Sequence, residues 1–485
     1  MHEGPDQIPE VVGHGPRASA KVPSRARSRV RKVDRNHAIG QAAGRVVTTV
    51  TPGVSAMRRA LAGLLLALTL PMAARANPPA PTRPPGPPPP PSPLAPAGEA
   101  AAMAERPFGR ATYRPGGGLT LHSQDDRFAV SVSMWGQLQF GVKRDQTPPA
   151  GAAATGVTLE MRRARLVIQG HAFTPHFKYY VHLMFAPKDL AFKDGVPHRA
   201  PIFQWYTTVT RFKHAHVQAG FFFVPYSRQR LQPLPRLQFI DNSTASYEFT
   251  LDQDTGVQVS SPDIAGLGLM RYYAGVFMGE GYDWYKPSDM GLTYMGRFEV
   301  LPLGMFEDFS EPDFERALRP KLSIGAAYAY SDRDRRTRAI SGTGFADGGS
   351  MRSHNLTADL MFKWAGLSVL ADVYWRQASR QSGGLHDVDG LPIAVQAARN
   401  GHGWTAQMGL FVPRTRAEVV ARSAGVRPPR SMPTSLGRLD EVGGGLVYYF
   451  YRHALKLQLD YIHTWGPALP TGRGDQLRMQ LQMIF

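Results

Sequence analysis

The sequence predicts an all-β fold: a transmembrane antiparallel β-barrel of about sixteen strands behind a Pro-rich N-terminal linker. Three observations carry this expectation. Stretches of alternating apolar and polar residues recur from about Asp126 to the last residue, and about 9–11 tilted residues of this kind cross a bilayer. Aromatic and turn-forming residues abound together, with 24 Phe, 18 Tyr and 7 Trp beside 49 Gly and 41 Pro, a mixture that favours strands and turns over helices. No apolar run is long enough for a helical span, so a membrane could be crossed only by strands.

Residues 57–76 read MRRALAGLLLALTLPMAARA. A charged start at Arg58 and Arg59, an apolar run from Ala60 to Leu70, a breaker at Pro71 and Ala74-Arg75-Ala76 form the layout of a secretory signal. Translation is therefore expected to start at Met57, with residues 1–56 a mis-assigned or disordered extension. That extension holds nine basic residues against four acidic ones, so the formal charge of +18 overstates the basicity of the exported protein. Its basic run from Arg25 to Arg35 suits nucleic acid or anionic lipid. Elsewhere the basic residues alternate with apolar ones instead of forming a stripe beside stacking aromatics, and nucleic-acid binding is not expected.

Residues 77–115 open with NPPAPTRPPGPPPPPSPLAPA, which cannot pair in a sheet and reads as a stiff polyproline II spacer in the periplasm. Recognition by a proline-binding partner is the competing reading. The barrel is expected over residues 116–485. The chain has no cysteine, which excludes disulfides, thiol chemistry and cysteine metal sites.

Within the barrel the expected strands run, in order, over 128–142, 157–168, 177–184, 202–210, 216–223, 256–261, 270–278, 290–300, 322–331, 355–364, 367–376, 404–411, 417–423, 443–449, 455–461 and 477–485. The clearest places Leu455, Leu457, Leu459 and Tyr461 on one face and Lys456, Gln458 and Asp460 on the other. Aromatic clusters such as Phe221-Phe222-Phe223 and Tyr448 to Tyr451 fall near strand ends, where rings would sit at the bilayer interface. Connections are asymmetric: 171–176, 365–366 and 452–453 are short, whereas 332–354 and 377–403 are long and polar, the pattern of an outer-membrane barrel. In the last strand Leu477, Met479, Leu481, Met483 and Phe485 form a lipid-facing row, with Arg478, Gln480 and Gln482 facing the lumen. This aromatic-ended row is the expected signal to the barrel-insertion machinery.

At Met161-Arg162-Arg163-Ala164-Arg165-Leu166 the sequence resembles the phosphate-selective porins O and P, whose second strand carries an aromatic or apolar residue, Arg-Arg-Ala and an apolar position. The likeness extends through Gly116 to Phe140, AGFFFVPYSRQRL (Ala219 to Leu231), LDQDTGVQV (Leu251 to Val259), YAGVFMGEG (Tyr273 to Gly281) and the terminal strand. It implies a sixteen-stranded homotrimeric porin in outer-membrane lipid, with an arginine- and lysine-lined eyelet that admits small anionic solutes such as phosphate. The matching positions are Arg162, Arg163 and Arg230. The chain departs from the family pattern at Gly220-Phe221-Phe222, where some members carry Gly-Arg-Phe, and around Asp241-Asn242, where a later loop arginine is replaced.

Periodicity puts Arg163 and Arg165 on one face, so Arg162 reaches the lumen only through a local bulge or at a subunit contact. Arg228, Arg230 and Arg236 lie in the long segment 224–248, read either as an inward constriction or as a solvated external loop. All six arginines are candidates to line the pore and bind anions; the competing reading pairs them with lumenal carboxylates such as Glu160 or Asp372. No catalytic residue, cofactor or metal is expected. The histidines are scattered, and no Gly-x-Ser-x-Gly, His-Glu-x-x-His or P-loop pattern occurs. A barrel lipase and an anchor tethered through the Pro-rich segment remain the rival classes.

Overall fold

The computed structural model describes residues 109–145, 154–192, 196–283, 291–339, 341–470 and 472–485. The expected extension, signal and most of the Pro-rich linker lie outside these residues. A short hairpin comes first: β1 (Arg110–Arg114) and β2 (Gly118–His122). In this hairpin β1 lies within the stretch read as linker, and β2 just past the expected boundary at Gly116. Its turn requires glycine: Gly116 and Gly118 have φ of +77° and +80°, and a Cβ on Gly118 would sit 2.0 Å from the carbonyl oxygen of Val132.

The barrel strands are β3 (Ala129–Asp145), β4 (Thr155–Ala172), β5 (Thr174–Met184), β6 (Ile202–Val209), β7 (His216–Phe223), β8 (Gln253–Ser261), β9 (Met270–Phe277), β10 (Thr293–Val300) and β11 (Lys321–Asp334). A small hairpin, β12 (Arg336–Arg338) and β13 (Ser341–Gly344), stands apart from the barrel. The wall continues with β14 (Ser350–Trp364), β15 (Leu367–Gln381), β16 (Gly401–Phe411), β17 (Ala417–Arg427), β18 (Leu439–Tyr451), β19 (Leu455–Trp465) and β20 (Arg473–Ile484). Each pairs antiparallel with its neighbours, and β20 pairs with β3 from Gly474↔Asp145 to Ile484↔Trp135. Of the 18 strands in this sheet, β1 and β2 form the hairpin and the other sixteen close into a barrel. Every expected strand coincides with one of these sixteen, with ends that differ by a few residues.

Closure satisfies the backbone without water, the condition a strand-built membrane protein must meet. Phe485 extends the seam, because its amide donates to the Met134 carbonyl (2.9 Å) and its own carbonyl accepts from the Met134 amide (2.7 Å). Beyond Ile484 the exposed edge of β3 is taken up by β2, which pairs with Ala129 to Val132. The pleat sorts side chains as the alternation demands. Lys456, Gln458 and Asp460 are buried inward, whereas Leu459 and Tyr461 are exposed on the outer wall.

One aromatic cluster departs from expectation. Phe222 lies inside against Tyr206 and Phe277, and Phe221 packs on Tyr282, so neither ring is part of an interfacial belt. Their strand ends beneath covering segments, which gives the rings a protein surface to bury against. In the other cluster the pleat divides the rings: Tyr448 and Phe450 face outward, Tyr449 is buried, and Tyr451 is exposed beside the turn.

The short connections lie at one end, including the single residue Phe173, Ala365-Gly366 and Arg452 to Ala454. Ala365 and Gly366 have φ of +52° and +90°, the twist that a two-residue hairpin needs. By the rule for outer-membrane barrels this is the periplasmic end. The connection 301–320, between β10 and β11, is the long exception at that end.

Leu446 sits mid-strand on the outer wall, half exposed. Leu446→Arg is expected to destabilise the barrel in lipid by about 2–4 kcal/mol. Urea titration of folding into liposomes, read by heat-modifiable gel mobility, checks this.

Candidate functional site: a lumen crossed by two inward segments

The connection 224–252, which joins β7 to β8, turns into the lumen and decides between the two readings of this stretch. It carries two short helices, α1 (Arg228–Leu231) and α2 (Thr244–Phe249). Pro225, Pro233 and Pro235 keep it from forming a strand, while Tyr226, Phe239, Ile240, Phe249 and Leu251 supply a fully buried apolar side. Its backbone must then find partners among side chains. The wall supplies them. Lys456 Nζ donates to Leu237 O (2.6 Å), Gln458 Nε2 to Gln238 O (2.9 Å), Arg422 Nη1 to Asp241 O (2.8 Å) and Gln482 Nε2 to Pro235 O (3.1 Å). Asp460 accepts from the Ile240 amide (3.1 Å) and Glu441 from the Thr244 amide (2.9 Å). Ser243 caps α2 by accepting from the Ser246 amide (3.1 Å).

The double arginine stands on a β-bulge. Gln137 pairs with Arg163 and Leu138 with Met161, so Arg162 is the extra residue and the register shifts there. Both guanidiniums consequently reach Asp241 on the inward segment, Arg163 at 2.6 Å and Arg162 at 3.4 Å. Arg478 of β20 closes on the other Asp241 oxygen at 2.7 Å while holding Asp460 with two bonds of 2.8 Å. Three guanidiniums thus converge on one carboxylate. Burial alone would raise the Asp241 pKa, but Arg163, Arg478 and Arg162 hold it well below the usual carboxylate range. Arg163 is nearly buried, whereas the Arg162 side chain is 17% and the Asp241 side chain 31% exposed, which makes these two the wet face of the cluster.

The other candidates are also engaged. Arg165 makes a forked pair with Asp189 (2.9 and 2.8 Å) and lies 3.7 Å above the Phe203 ring. Arg228 is wholly buried among Asp359 (2.7 Å), Asp308 (2.8 Å) and Ser323 (2.8 Å). Arg230 pairs with Asp252 (2.6 Å), and Arg236, the most exposed, with Glu307 (2.9 Å). Carboxylate pairing was one reading of the sequence, but its named partners are different. Glu160 binds Lys188 (3.0 Å) instead, and Asp372 forms no ion pair with these arginines among the described residues. Asp241, Asp189 and Asp359 reach the arginines only because folding brings distant segments together.

A second inward segment, 301–320, rises from the periplasmic end and locks onto the first. Asp308 accepts from Arg228 and Arg271, Glu311 accepts from the Gln238 amide (2.6 Å), and Gly366 donates to Asp313 (2.8 Å). Sequence reasoning did not find this segment, nor the roles of Arg271, Arg297, Glu299 and Asp359. The alternation of Arg297 and Glu299 around Phe298 in β10 carried a signal of two inward charges. Arg297 makes a forked pair with Asp359 (2.6 and 2.9 Å).

Residues 132–298, which contain the bulge and the inward segment, match the family described as "Phosphate-selective porin O and P". The chain is an outer-membrane porin. Three solved structures similar to it are OmpT of Vibrio cholerae (10% identity, 73% of this chain and 98% of that chain, TM-score 0.46), an anion-selective porin from Comamonas acidovorans (11%, 73% and 100%, 0.46) and the outer-membrane channel DcaP of Acinetobacter baumannii (10%, 73% and 97%, 0.45). Likeness this distant transfers no solute and no assembly to this porin. No curated relative matches the sequence.

Asp241→Asn removes the shared carboxylate while leaving a side chain of the same shape. The substitution is expected to raise the porin's chloride-over-potassium permeability ratio several-fold, since unit charges at about 4 Å interact strongly in a partly desolvated channel. The reversal potential in a planar bilayer under a KCl gradient checks this.

Proposed function

We propose that this porin passes small anions by passive diffusion, with the Arg162, Arg163 and Arg478 cluster as its anion-contacting element. The supporting observation is that three guanidiniums share Asp241 at a partly exposed position beside the inward segment, and only one of them, Arg478, has a second carboxylate in Asp460. Arg162 is the group best placed to exchange partners, because its link to Asp241 is the longest of the three and its side chain is wetted. A guanidinium fork matches phosphate oxygens. The other candidate arginines are already paired, so the reading is one contact point for anions and a moderate anion preference.

The test is the single-channel reversal potential of the purified chain under a chloride gradient, followed by added phosphate. Anion-selective steps that phosphate reduces are expected, with Arg162→Ala relieving the reduction and leaving gel mobility unchanged. Cation selectivity, or no channels from a folded barrel, would overturn the reading. Residues 57–76 as an export signal and the outward row Leu477, Met479, Leu481, Met483 and Phe485 as the contact for insertion machinery belong to the same proposal. A homotrimer, implied by the resemblance at the double arginine, is expected as a single three-chain mass in native mass spectrometry from detergent.

A further inference from the structure

We propose that the periplasmic half of the lumen binds a neutral, ring-shaped polyhydroxylated solute of one or two sugar units. The site is a cavity of about 610 Å³ between the wall and the two inward segments, bordered by the short turn Arg452 to Ala454. That volume is in the range of small-molecule sites. Tyr206 and Tyr273 bring ring surface to it from β6 and β9, while Trp135 of β3 and Phe222 of β7 border it as almost wholly buried rings. Tyr206 is held between two other rings. Tyr206 stacks on Tyr180 at 4.9 Å and 17°, and meets Phe222 edge-on at 5.8 Å.

What distinguishes this cavity is which polar groups are left free. In the ion-paired part of the lumen, arginine after arginine is bonded to a carboxylate. Around the cavity the hydroxyls of Tyr206 and Tyr273 and the amides of Gln169 and Gln204 make no side-chain hydrogen bond to another described residue. Gln218 uses only its oxygen, which accepts from Thr208 (3.3 Å). Of the lining charges, Arg236 and Glu307 cancel in their own pair, which leaves Arg452, exposed at the turn over Phe314, as the charge at the rim. A solute entering here meets flat apolar faces and unengaged neutral donors and acceptors. A sugar ring offers both complements, C–H faces for the aromatic rings and hydroxyls for the phenols and amides. An inorganic anion would meet charge only at Arg452 on the rim and would leave its water against neutral groups elsewhere in the cavity.

A second bulge builds the site. His182 pairs with Gln204 and Leu183 with Ile202, which makes Phe203 the extra residue and turns both Phe203 and Gln204 inward. Phe203 takes Arg165 over its ring while Gln204 is presented to the cavity. The same device that aims two arginines at Asp241 here separates a charge from the solute path.

The proposal rests on the porin reading for access but not for binding, so two measurements are paired. Isothermal calorimetry of the full chain in detergent is titrated with maltose, with the open-chain polyol mannitol and with benzoate. Single-channel current is recorded with maltose on the periplasmic side. Saturable millimolar binding of maltose, with none of mannitol and a matching current reduction, is expected. Tyr206→Ala should weaken maltose binding at least about fivefold through loss of ring surface, and Tyr206→Phe less. Should Tyr206→Ala fail to fold, Gln218→Leu takes its place. Channels that conduct chloride with no calorimetric or current response to maltose overturn this proposal alone. Benzoate binding without maltose overturns the solute class. Maltose binding without any channel upholds the site and defeats the diffusion reading.

Discussion

The structure depends on one rule: a backbone polar group away from water must have a partner. For the wall, closure of β20 on β3 meets it strand by strand. The inward segments cannot, because their prolines and short helices leave carbonyls and amides that no ladder takes up. Long polar side chains from the far wall fill the deficit, with Lys456, Gln458, Arg422 and Gln482 reaching across to carbonyls while Asp460 and Glu441 receive amides. Much of the lumen's polarity is thus backbone accounting for the segments that narrow it. This explains why fully buried Lys456 can be tolerated in a wall position that would otherwise strand a charge.

The same economy governs the arginines. A guanidinium in a partly dry lumen is costly unless forked to a carboxylate, and removal of one partner is worse than absence of both. Arg228, Arg297 and Arg165 obey this fully, with Asp359, Asp308 and Asp189 as partners. Their burial makes Arg228 and Arg297 struts joining wall and inward segment, Arg297 through the Tyr226 carbonyl (2.8 Å), while Arg165 ties β4 to the connection between β5 and β6. The cluster at Asp241 is different because its guanidiniums outnumber the carboxylate they share and because one of them is wet. Charge available to a solute is therefore a local surplus, which counting lumenal arginines overstates.

The barrel itself was legible because its signal is a period. A two-residue alternation repeated through the chain fixes strand existence and facing, and the Ala365-Gly366 hairpin can be read directly from its dipeptide. Bulges break that period by one residue and so escape it. The sequence permits Arg162 to reach the lumen only through a bulge, but nothing in Met161-Arg162-Arg163 says that one forms; the neighbouring strand's register does. Asp241 was legible only as a departure from the resemblance, not as the shared acceptor, since that role needs β4 and β20 brought to the same point. The segment 301–320 was silent for a related reason. Its polar and Pro-rich composition is that of any connection, and its partners Arg228, Arg271 and Gln238 come from other strands and the first inward segment.

These features divide the lumen by chemistry. The charged groups are bound to their own counter-charges and fix the inward segments, whereas around the cavity the phenols of Tyr206 and Tyr273 and the amides of Gln169 and Gln204 stay unengaged by other described side chains. Rigidity and recognition are thereby separated: groups that hold the shape are spent on it, and only groups not so spent can meet a solute. Arg162 stands at the border between the two, charged like the first set and exposed like the second. A one-residue bulge puts it there, so the register of β3 against β4 sets how much positive charge the lumen shows to what passes through it.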